Sequence, residues 1–388
     1  MMTAGAFAKR PGVIGVQIKT IEPIAVSLPM RKPVIMASEE VRRADNVLVR
    51  IESDNGLVGW GEAASAPVMT GDTLESIVSA VHYLSSALRG RDPADIAGAL
   101  AAMDCRMYGN HGAKAAIEIA LHDLAGRAAA KPVHAFLGEK KRSRIPLLGV
   151  IGGGDFEGDL RDAESKKSAG VTAYKIKVGI DTPENDAART RKICKVLGDG
   201  MLISADANQG YNVEQAVTYV RAVNGSGLDF FEQPVAADEL AGMAKVAAAT
   251  DIAIGADEGI HSLDDIRRHH DSKAARGVSL KAIKLGGIGA MTKAGELCDR
   301  LGMSVNISCK TGESSVACAA ALHVASVIPN IGWALTLTHL GLAEDVARGP
   351  LPTGKGFAET LDRPGLGIEI DEDRVRRHRL QIAARSVA

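Results

Sequence analysis

The sequence predicts an α/β fold: a (β/α)8 barrel of the TIM type with an N-terminal α+β capping domain, which the C-terminal tail completes. Eight short apolar runs alternate with helix-like stretches from about Pro146 to about His339, as the strands and helices of a barrel do. The preceding part has strands followed by helices, and 388 residues exceed the usual size of one domain. We expect a capping domain at 13–140, a barrel at 141–350, and a segment at 351–388 that packs back on the capping domain.

The eight apolar runs are the predicted barrel strands, and helix starts fall between them. Thr182 before Pro183 is typical of an N-cap followed by proline at the first helical position. Asn212 and Ser262 also begin capped first turns. Because the C-terminal ends of barrel strands form the active site, the ends of the runs are where function is expected. The runs are Pro146–Ile151, Ala173–Val178, Met201–Asp206, Leu228–Glu232, Ile252–Asp257, Val278–Ile283, Ser304–Ile307 and Gly332–Thr338.

The first part of the chain is organised differently. Three strands are predicted there, with a tight turn at Asp54–Gly56 between the last two. Three helical stretches follow, which indicates a separate α+β unit. The tail is rich in Gly and Pro from Gly349, and we expect it to end in a short strand, Gly367–Ile370, and a basic helix. The strands are Val16–Leu28, Asn46–Glu52 and Leu57–Glu62, and the helices are Leu74–Leu88, Pro93–Met103 and Gly112–Ala130.

Composition argues against several classes of partner. The formal net charge of −1 gives no basic footprint for nucleic acid and no polybasic patch for a membrane, and no apolar run is long enough to span a bilayer. Met1–Gly12 lacks the apolar segment of a signal peptide and is expected to be a loose leader. The five scattered cysteines include no C-x-x-C pair, which argues against a disulfide framework or a zinc site and for a reducing cytoplasm.

Charged residues stand near the ends of five successive predicted strands, in the order lysine, acid, acid, acid, lysine. They are Lys177, Asp206, Glu232, Asp257 and Lys281. Strands carry such residues reluctantly, and buried charges need partners. The second and sixth strands of an eight-stranded barrel lie on opposite sides. We therefore expect the two lysines to face each other across the lumen, with the acids in an arc between them.

This order predicts a metal site flanked by two bases. Three carboxylates suit a hard cation, Mg²⁺ or else Mn²⁺, and leave coordination positions for a substrate carboxylate. The ion would acidify the α-proton, so that one lysine removes it and the other delivers a proton to the opposite face. Burial, the metal and the like charge of Lys175 beside Lys177 are each expected to ease loss of the lysine proton. The alternative is that these residues are structural ion pairs in the barrel mouth.

Five segments around these residues resemble the muconate lactonizing enzyme subgroup of the enolase superfamily. They are Tyr174–Gly179, Asp206–Tyr211, Phe231–Pro234, Asp257–Glu258 and Lys281–Gly287. The resemblance covers nearly the whole chain, the capping domain included, and it implies an enzyme of that subgroup. The roles it implies are acid/base catalysis for Lys177 and Lys281, Mg²⁺ ligation for Asp206, Glu232 and Asp257, and support for Lys175 and Asn208.

The loop after the seventh predicted strand carries a further candidate. Glu313 falls where the family often keeps a glutamate near the substrate, or else it is a helix N-terminal acid favoured by the helix dipole. The mandelate racemase branch would place a histidine after this strand, and Val305–Lys310 contains none. The resemblance also implies a homo-oligomer that acts on a small-molecule carboxylate.

The subgroup runs several reactions through one enolate: muconate cycloisomerisation, epimerisation of dipeptides, N-acyl amino acids or proline betaines, and syn dehydration. Two opposed lysines are what a 1,1-proton transfer needs, so the first hypothesis is racemisation or epimerisation of a carboxylate whose nitrogen is acylated or alkylated. The second is a lyase-type reaction, either cycloisomerisation of a muconate or dehydration of a β-hydroxy acid such as a hydroxyproline. The third is a barrel that binds a ligand without turnover, which has no need of two opposed bases.

The predicted pocket narrows the substrate. Dipeptide epimerases have an Asp-x-Asp at the end of the eighth strand that holds the substrate ammonium, whereas this chain has Thr336–Thr338, which disfavours a free ammonium. Thr338 is therefore a candidate substrate contact. Trp333 is either a cation–π face for a quaternary ammonium or part of the core. The capping loops, Met30–Glu40 and Ala64–Asp72, are mostly apolar. They favour a small, fairly apolar acid, or else their methionines merely pack the cap onto the barrel.

Overall fold

The computed structural model describes residues 15–37, 39–152 and 156–382. The expected leader, Met1–Gly12, lies outside the described residues. Within them the predicted fold is confirmed: eight parallel strands with their helices form the barrel, and an antiparallel sheet with helices precedes it. Among the described residues, no helix combines the length and the apolar character that a membrane crossing requires.

The N-terminal unit is a three-stranded antiparallel sheet covered by helices. Its elements are β1 (Ile18–Ile35), β2 (Glu40–Ser53), β3 (Val58–Ala64), α1 (Leu74–Ser85), α2 (Ile96–Arg106), α3 (His111–Ala128) and α4 (His134–Leu137). Because side chains alternate along a strand, Val47, Val49 and Ile51 of β2 share one face. They are buried in a core with residues of α1 and α3, and this burial attaches the helices to the sheet.

Two glycines on β3 let α3 lie directly against the sheet. A Cβ added at Gly61 would overlap the carbonyl oxygen of Ala116, and one added at Gly59 would overlap that of Ala120. These oxygens belong to the helix backbone, which cannot move aside as a flexible side chain does. The contact between sheet and helix therefore depends on the missing side chains.

Gly61→Ala is expected to lower the free energy of unfolding by about 2 kcal/mol or more, because overpacking forces α3 away from β3. Urea denaturation measures the change. Gly349→Ala is the matched control, since nothing lies within 4 Å of a Cβ added there. Equal stability of the two variants would show that the close approach is not needed.

The barrel is one sheet in which spatial order follows chain order. Its elements, with the short strand before it, are β4 (Arg144–Pro146), β5 (Leu148–Ile151), α5 (Phe156–Ser168), β6 (Ala173–Lys177), α6 (Pro183–Leu197), β7 (Leu202–Asp206), α7 (Val213–Ala222), β8 (Phe230–Glu232), α8 (Leu240–Ala248), β9 (Ala253–Ala256), α9 (Leu263–Asp271), β10 (Gly277–Leu280), α10 (Ala282–Leu285), α11 (Ile288–Arg300), β11 (Ser304–Ser308), α12 (Ser315–Val327) and β12 (Leu335–Thr336). The sheet runs from β5 to β12. A parallel bridge between Leu147 and Leu335 brings its two edges together, so β6 and β10, the second and sixth strands, lie on opposite sides.

Three predicted helix starts are confirmed. The side chains of Thr182, Asn212 and Ser262 each accept a hydrogen bond from a backbone N–H in the first turn of α6, α7 and α9. Pro183 occupies the start of α6, where its missing N–H costs nothing. These caps fix where each helix leaves its preceding strand end.

The predicted sixth strand is too long. β10 stops at Leu280, and Lys281 is the N-cap residue of α10. Gly286 ends this helical turn at φ 86°, a left-handed conformation that glycine adopts freely. The apolar run Val278–Ile283 is therefore half strand and half helix, which periodicity alone cannot distinguish in so short a segment.

Other predicted elements also differ. Of the predicted eighth strand, Gly332–Thr338, only Leu335–Thr336 is a strand. Met30–Glu40, expected to be a loop, is largely a hairpin, because β1 continues to Ile35 and Val34 pairs with Val41 of β2. Gly367–Ile370, expected to be a strand, does not form one. Its last residue, Ile370, makes an isolated bridge with Ala347.

The tail contacts the N-terminal sheet. After β13 (Thr353–Gly354) and β14 (Phe357–Glu359), which pair with β4 in a small sheet that was not predicted, comes α13 (Glu372–His378), the predicted basic helix. Arg379 then forms a bridge with Val26 of β1, and the backbone N–H of Leu380 donates to Ala25 at 2.8 Å. The exact domain limits stay a prediction.

Candidate active site

The predicted site residues meet at the C-terminal ends of the barrel strands, around a cavity of about 400 Å³. Seven of the nine line this cavity, and Glu232 and Glu313 are not among its lining residues. All nine except Thr338 are at least nine-tenths buried. Those that line it are Lys175, Lys177, Asp206, Asn208, Asp257, Lys281 and Thr338.

Neighbouring strands hold one lysine–acid network. Lys177, Asp206 and Glu232 are paired residues of β6, β7 and β8, so they lie at one level of the barrel. Lys175 Nζ lies 2.8 and 2.7 Å from the two carboxylate oxygens of Glu232 and 3.6 Å from Asp206 Oδ2. Lys177 Nζ donates to Asp206 Oδ2 at 2.7 Å and to Asn208 Oδ1 at 2.6 Å.

Across the barrel, Asp257 holds two lysines. Lys281 donates to its Oδ2, and Lys284 donates to its Oδ1 at 2.6 Å. Lys284 has no exposed surface and also donates to the backbone oxygens of Asp257 and of Ser279. Every polar interaction of this buried ammonium thus fixes Asp257 and the end of β10 in place.

Burial and attraction oppose each other in this site, and attraction prevails for Lys175 and Lys281, whereas burial prevails for Lys284. Burial alone would lower the pKa of Lys281, but Asp257, Glu258 and Glu232 attract its charge, and the pKa is raised. The pKa of Lys175 is raised for the same reason, chiefly by Glu232. At these two lysines the attraction of the carboxylates therefore outweighs the effect of burial.

Attraction also prevails for two of the acids, Asp206 and Asp257, whereas burial raises the pKa of Glu232. Burial alone would raise the pKa of Asp257, but Lys281 and Lys284 hold it well below its usual range. Lys177 and Lys175 likewise lower that of Asp206 against burial. Asp206 and Asp257 are therefore carboxylates, the protonation state that a divalent cation requires.

The donor set fits a hard divalent cation. Among the described residues, no group of three or more His, Cys, Asp or Glu side chains is arranged as a ready metal cage, because each acid is turned to a lysine. Yet the single ammonium of Lys175 lies within 4 Å of both Asp206 and Glu232, so two of the carboxylates converge on one cation. Three buried carboxylates without sulfur or imidazole donors suit Mg²⁺ or Mn²⁺.

Two predicted supporting residues stand apart from this network. Thr338 precedes a 3₁₀ turn (His339–Gly341) and donates to the backbone oxygens of Lys310 at 2.8 Å and of Glu313 at 3.3 Å. Glu313 is buried behind the lining residues, and its Oε2 accepts from the backbone N–H of Lys310 at 2.8 Å. Burial, with repulsion from Glu62, raises the pKa of Glu313 to about 8. Their roles toward a substrate stay predictions.

Other lining or supporting residues were not predicted. Glu258 lines the cavity and accepts a hydrogen bond from Asn208 at 3.1 Å, and Lys284 holds Asp257. Both belong to the segments that resemble the family, which was the signal available. Lys310, also in the lining, pairs with Glu39 from the β1–β2 hairpin at 3.2 Å. No sequence pattern indicates that partnership across two domains.

Glu62, at the end of β3, attaches the N-terminal sheet to the barrel. Its carboxylate accepts from Asn46 Nδ2 at 2.8 Å, from the backbone and hydroxyl of Ser314 at 2.8 and 2.6 Å, and from the backbone N–H of Ala317 at 3.0 Å. It thereby binds orphan donors at the start of α12. Asn46 also donates to the backbone oxygen of Gly312 at 2.9 Å. The sheet therefore fixes the loop that carries Lys310 and Glu313.

Glu62→Ala is expected to lower the free energy of unfolding by about 3 kcal/mol, since several buried donors lose their acceptor at once. Urea denaturation measures it, with Glu75→Ala as the control, which removes an exposed carboxylate on α1. If both variants lose the same amount, Glu62 does not attach the two parts.

The remaining walls of the cavity are mostly apolar. The hairpin and the loop after β3 contribute Met30, Val34, Met36, Val68 and Met69, as the sequence predicts. Lys166 and Lys310 add cationic lining at the periphery. Trp333 is not part of the lining. It is buried and stacks on Phe230 with ring centroids 4.0 Å apart, which confirms its core role and removes the cation–π alternative.

Two family models match the chain. Residues 159–374 match the model described as "Enolase C-terminal domain-like". Residues 19–138 match the model described as "Mandelate racemase / muconate lactonizing enzyme, N-terminal domain". Among curated proteins, the chain is 32% identical to an N-succinyl-L-Arg/Lys racemase of Bacillus cereus, over 92% of the chain and 96% of the relative. It is 34% identical to an L-Ala-D/L-Glu epimerase of Bacillus subtilis, over 91% and 96%.

Solved structures of similar enzymes superimpose on nearly the whole chain. The muconate lactonizing enzyme of Pseudomonas fluorescens in complex with muconolactone superimposes with a TM-score of 0.90 at 27% identity, covering 94% of this chain and 100% of that one. A dipeptide epimerase of Cytophaga hutchinsonii in complex with Mg and the dipeptide D-Ala-L-Val gives a TM-score of 0.87 at 29% identity, covering 93% and 98%.

Proposed function

The chain belongs to the mandelate racemase and muconate lactonizing enzyme family of the enolase superfamily and is an isomerase of that family, and from this premise we propose that it racemises or epimerises a small carboxylic acid whose nitrogen is acylated or alkylated. One observation carries the proposal: Lys177 and Lys281, each buried and bonded to a carboxylate, line one cavity from the second and sixth strand ends of an eight-stranded barrel. Two amines so placed can serve opposite faces of one α-carbon.

Asp206, Glu232 and Asp257 would hold the metal ion, Mg²⁺ or else Mn²⁺. When bound, the ion supplies positive charge opposite the carboxylate oxygens on which negative charge develops as the α-proton leaves. The similar dipeptide epimerase structure that contains Mg supports this choice.

The lysines then exchange roles with the direction of reaction. For one enantiomer, neutral Lys177 takes the α-proton while the Lys281 ammonium gives a proton to the other face. For the other enantiomer the two are reversed. Each lysine must therefore be available in both protonation states. Two of the three carboxylates that raise the pKa of Lys281 in this structure, Asp257 and Glu232, are assigned to the ion. A bound ion would weaken their attraction for the lysine ammonium.

The cavity supports the substrate class. About 400 Å³ admits a small acid. Thr336, Leu337 and Thr338 line it at the end of the eighth strand, and none of them carries a charge that would pair with a free substrate ammonium. An acylated or alkylated nitrogen needs no such partner and suits the apolar capping wall.

A second candidate is a lyase-type reaction through the same enolate, either muconate cycloisomerisation or dehydration of a hydroxyproline-like acid. Structural similarity to a muconate lactonizing enzyme bound to muconolactone favours it. The two candidates differ in whether both lysines carry protons to and from the same carbon.

The remaining assignments follow from the resemblance, from the net charge of −1 and from the free cysteines. We propose that the partners are a small-molecule carboxylate and further copies of this chain in a homo-oligomer, without nucleic acid or membrane. Four of the five free cysteines are buried, which supports a reducing, cytoplasmic setting.

Proton NMR in D₂O with Mg²⁺, across N-acyl amino acids, proline betaines, hydroxyprolines and muconates, tests the proposal. Loss of an α-proton signal with racemisation and no new product is expected for the true substrate class. New vinyl or lactone signals would move the assignment to the second candidate. An absence of exchange and product from every compound would leave a binding barrel in its place.

A further inference from the structure

We propose that Glu258 is a positioning residue for Lys177 and acts through the side-chain amide of Asn208. The inference rests on the proposed function, because it assigns Glu258 to one of the two proton-transfer faces. It goes beyond that function by giving a role to a residue outside the three acids and two lysines, and by making the two faces of the site unequal.

Three buried side chains form a line of hydrogen bonds. Lys177 Nζ donates to Asn208 Oδ1 at 2.6 Å, and Asn208 Nδ2 donates to Glu258 Oε1 at 3.1 Å. A lysine ammonium only donates, and Glu258 Oε1 is the acceptor here, although burial and the charge of Asp257 raise the pKa of Glu258 to about 7. The amide between them therefore has one orientation that satisfies both neighbours, with its oxygen toward Lys177.

Glu258 holds the nitrogen end of the Asn208 side-chain amide, and Lys177 holds its oxygen end. The Asn208 backbone has φ 42°, in the left-handed region, and its N–H donates to Asp206 Oδ1 at 3.0 Å. Among the described residues, Nδ2 donates to Glu258 and to no other group. Without Glu258, the buried Asn208 Nδ2 would be left unpaired, which is costly. The Asn208 side chain would then rotate to bring Nδ2 to another acceptor. Its oxygen would then leave Lys177.

The opposite lysine has no such intermediary. Lys281 donates directly to Asp257, which Lys284 holds from the other oxygen. Shortening the side chain of residue 258 should therefore slow proton transfer by Lys177 on its face of the substrate more than proton transfer by Lys281 on the other face. The negative charge of Glu258 acts on Lys281 as well, so a test must separate its charge from its hydrogen bond.

Two variants make that separation. Glu258→Gln removes the charge and keeps an oxygen at the same reach, whereas Glu258→Asp keeps the charge and withdraws the oxygen by one methylene. α-Proton exchange in D₂O is measured from each enantiomer, and the Lys177 face is defined as the enantiomer that Lys177→Ala no longer exchanges. The quantity compared is the ratio of exchange rates on the two faces, which a general loss of structure does not change.

Glu258→Asp is expected to shift this ratio about tenfold against the Lys177 face, the size expected for one hydrogen bond to a charged group. Glu258→Gln is expected to shift it by less than about threefold. An unchanged ratio in Glu258→Asp, or an equal shift in both variants, would overturn the proposal.

A crystal structure of Glu258→Asp decides the same question without turnover. The Lys177 Nζ to Asn208 Oδ1 contact, 2.6 Å here, is expected to be lost, and its retention would overturn the proposal. If the unchanged enzyme exchanges neither enantiomer of any acid, the proposed racemase function fails, while this crystallographic result still decides the role of Glu258.

Discussion

Lys177→Ala is expected to abolish α-proton exchange from one enantiomer of the substrate, and Lys281→Ala exchange from the other. Each lysine reaches the cavity from its own side, bonded to its own carboxylate, Asp206 or Asp257. The loss should be about 10²- to 10⁴-fold on the affected face, the usual contribution of a general base. The other enantiomer should keep part of its exchange, because the remaining amine can still remove its proton.

Proton NMR in D₂O from each pure enantiomer measures this pattern. Lys195→Ala, an exposed lysine on α6, controls for loss of a positive charge far from the cavity. Symmetric loss from both enantiomers in both variants would contradict two independent bases. If only one lysine is needed for proton removal and the other merely assists, a syn-eliminating lyase accounts for the site better.

Removal of any one of Asp206, Glu232 and Asp257 by alanine is expected to abolish Mg²⁺-dependent activity, a loss of about 10³-fold or more, since the ion stabilises several kcal/mol of developing charge. The same variants should bind Mg²⁺ more weakly in calorimetric titration. Chelation of the unchanged enzyme should reproduce the loss of activity, and added Mg²⁺ should reverse it.

Stability must be checked in these variants, because each leaves a buried lysine without its partner. Circular dichroism and thermal unfolding distinguish a missing ion from a missing fold. Asp264→Ala, at an exposed acid on α9, is the control for loss of a carboxylate. If all three alanine variants keep Mg²⁺-dependent activity, the assignment of these residues to the metal is wrong.

The sequence predicts the barrel well because its signal is periodic. Eight apolar runs with capped helices between them leave few alternatives, and Thr182, Asn212 and Ser262 mark helix starts by a local mechanism that the structure retains. Elements without such local signals are harder to predict. The run Val278–Ile283 is apolar in strand and helix alike, and β13 and β14 exist only because β4, about 200 residues earlier, lies beside them.

The site residues also divide into those that the sequence indicates and those that it does not. Lys177, Asp206, Asp257 and Lys281 stand out because charge is rare at strand ends, and the structure brings all four to one cavity. Lys284 gives no such signal: a lysine in a short helical turn is expected to face solvent, yet it is fully buried. Its burial depends on Asp257, which only the folded barrel brings to it.

Contacts between the N-terminal unit and the barrel show a further limit of prediction from the sequence. Glu39 and Lys310 lie 271 positions apart and pair only because the hairpin reaches over the seventh strand end. Glu62 likewise fixes the loop before α12 through donors that the sequence does not place near it. Such long-range polar contacts carry no periodicity, so a single sequence does not reveal them.

The most direct test of two opposed lysines is a crystal structure of the enzyme with Mg²⁺ and its carboxylate substrate. We expect the ion on Asp206, Glu232 and Asp257, and the α-carbon between Lys177 Nζ and Lys281 Nζ, each about 3–3.5 Å away on opposite faces. Both amines on one face, or an ion held by other residues, would contradict the proposed mechanism.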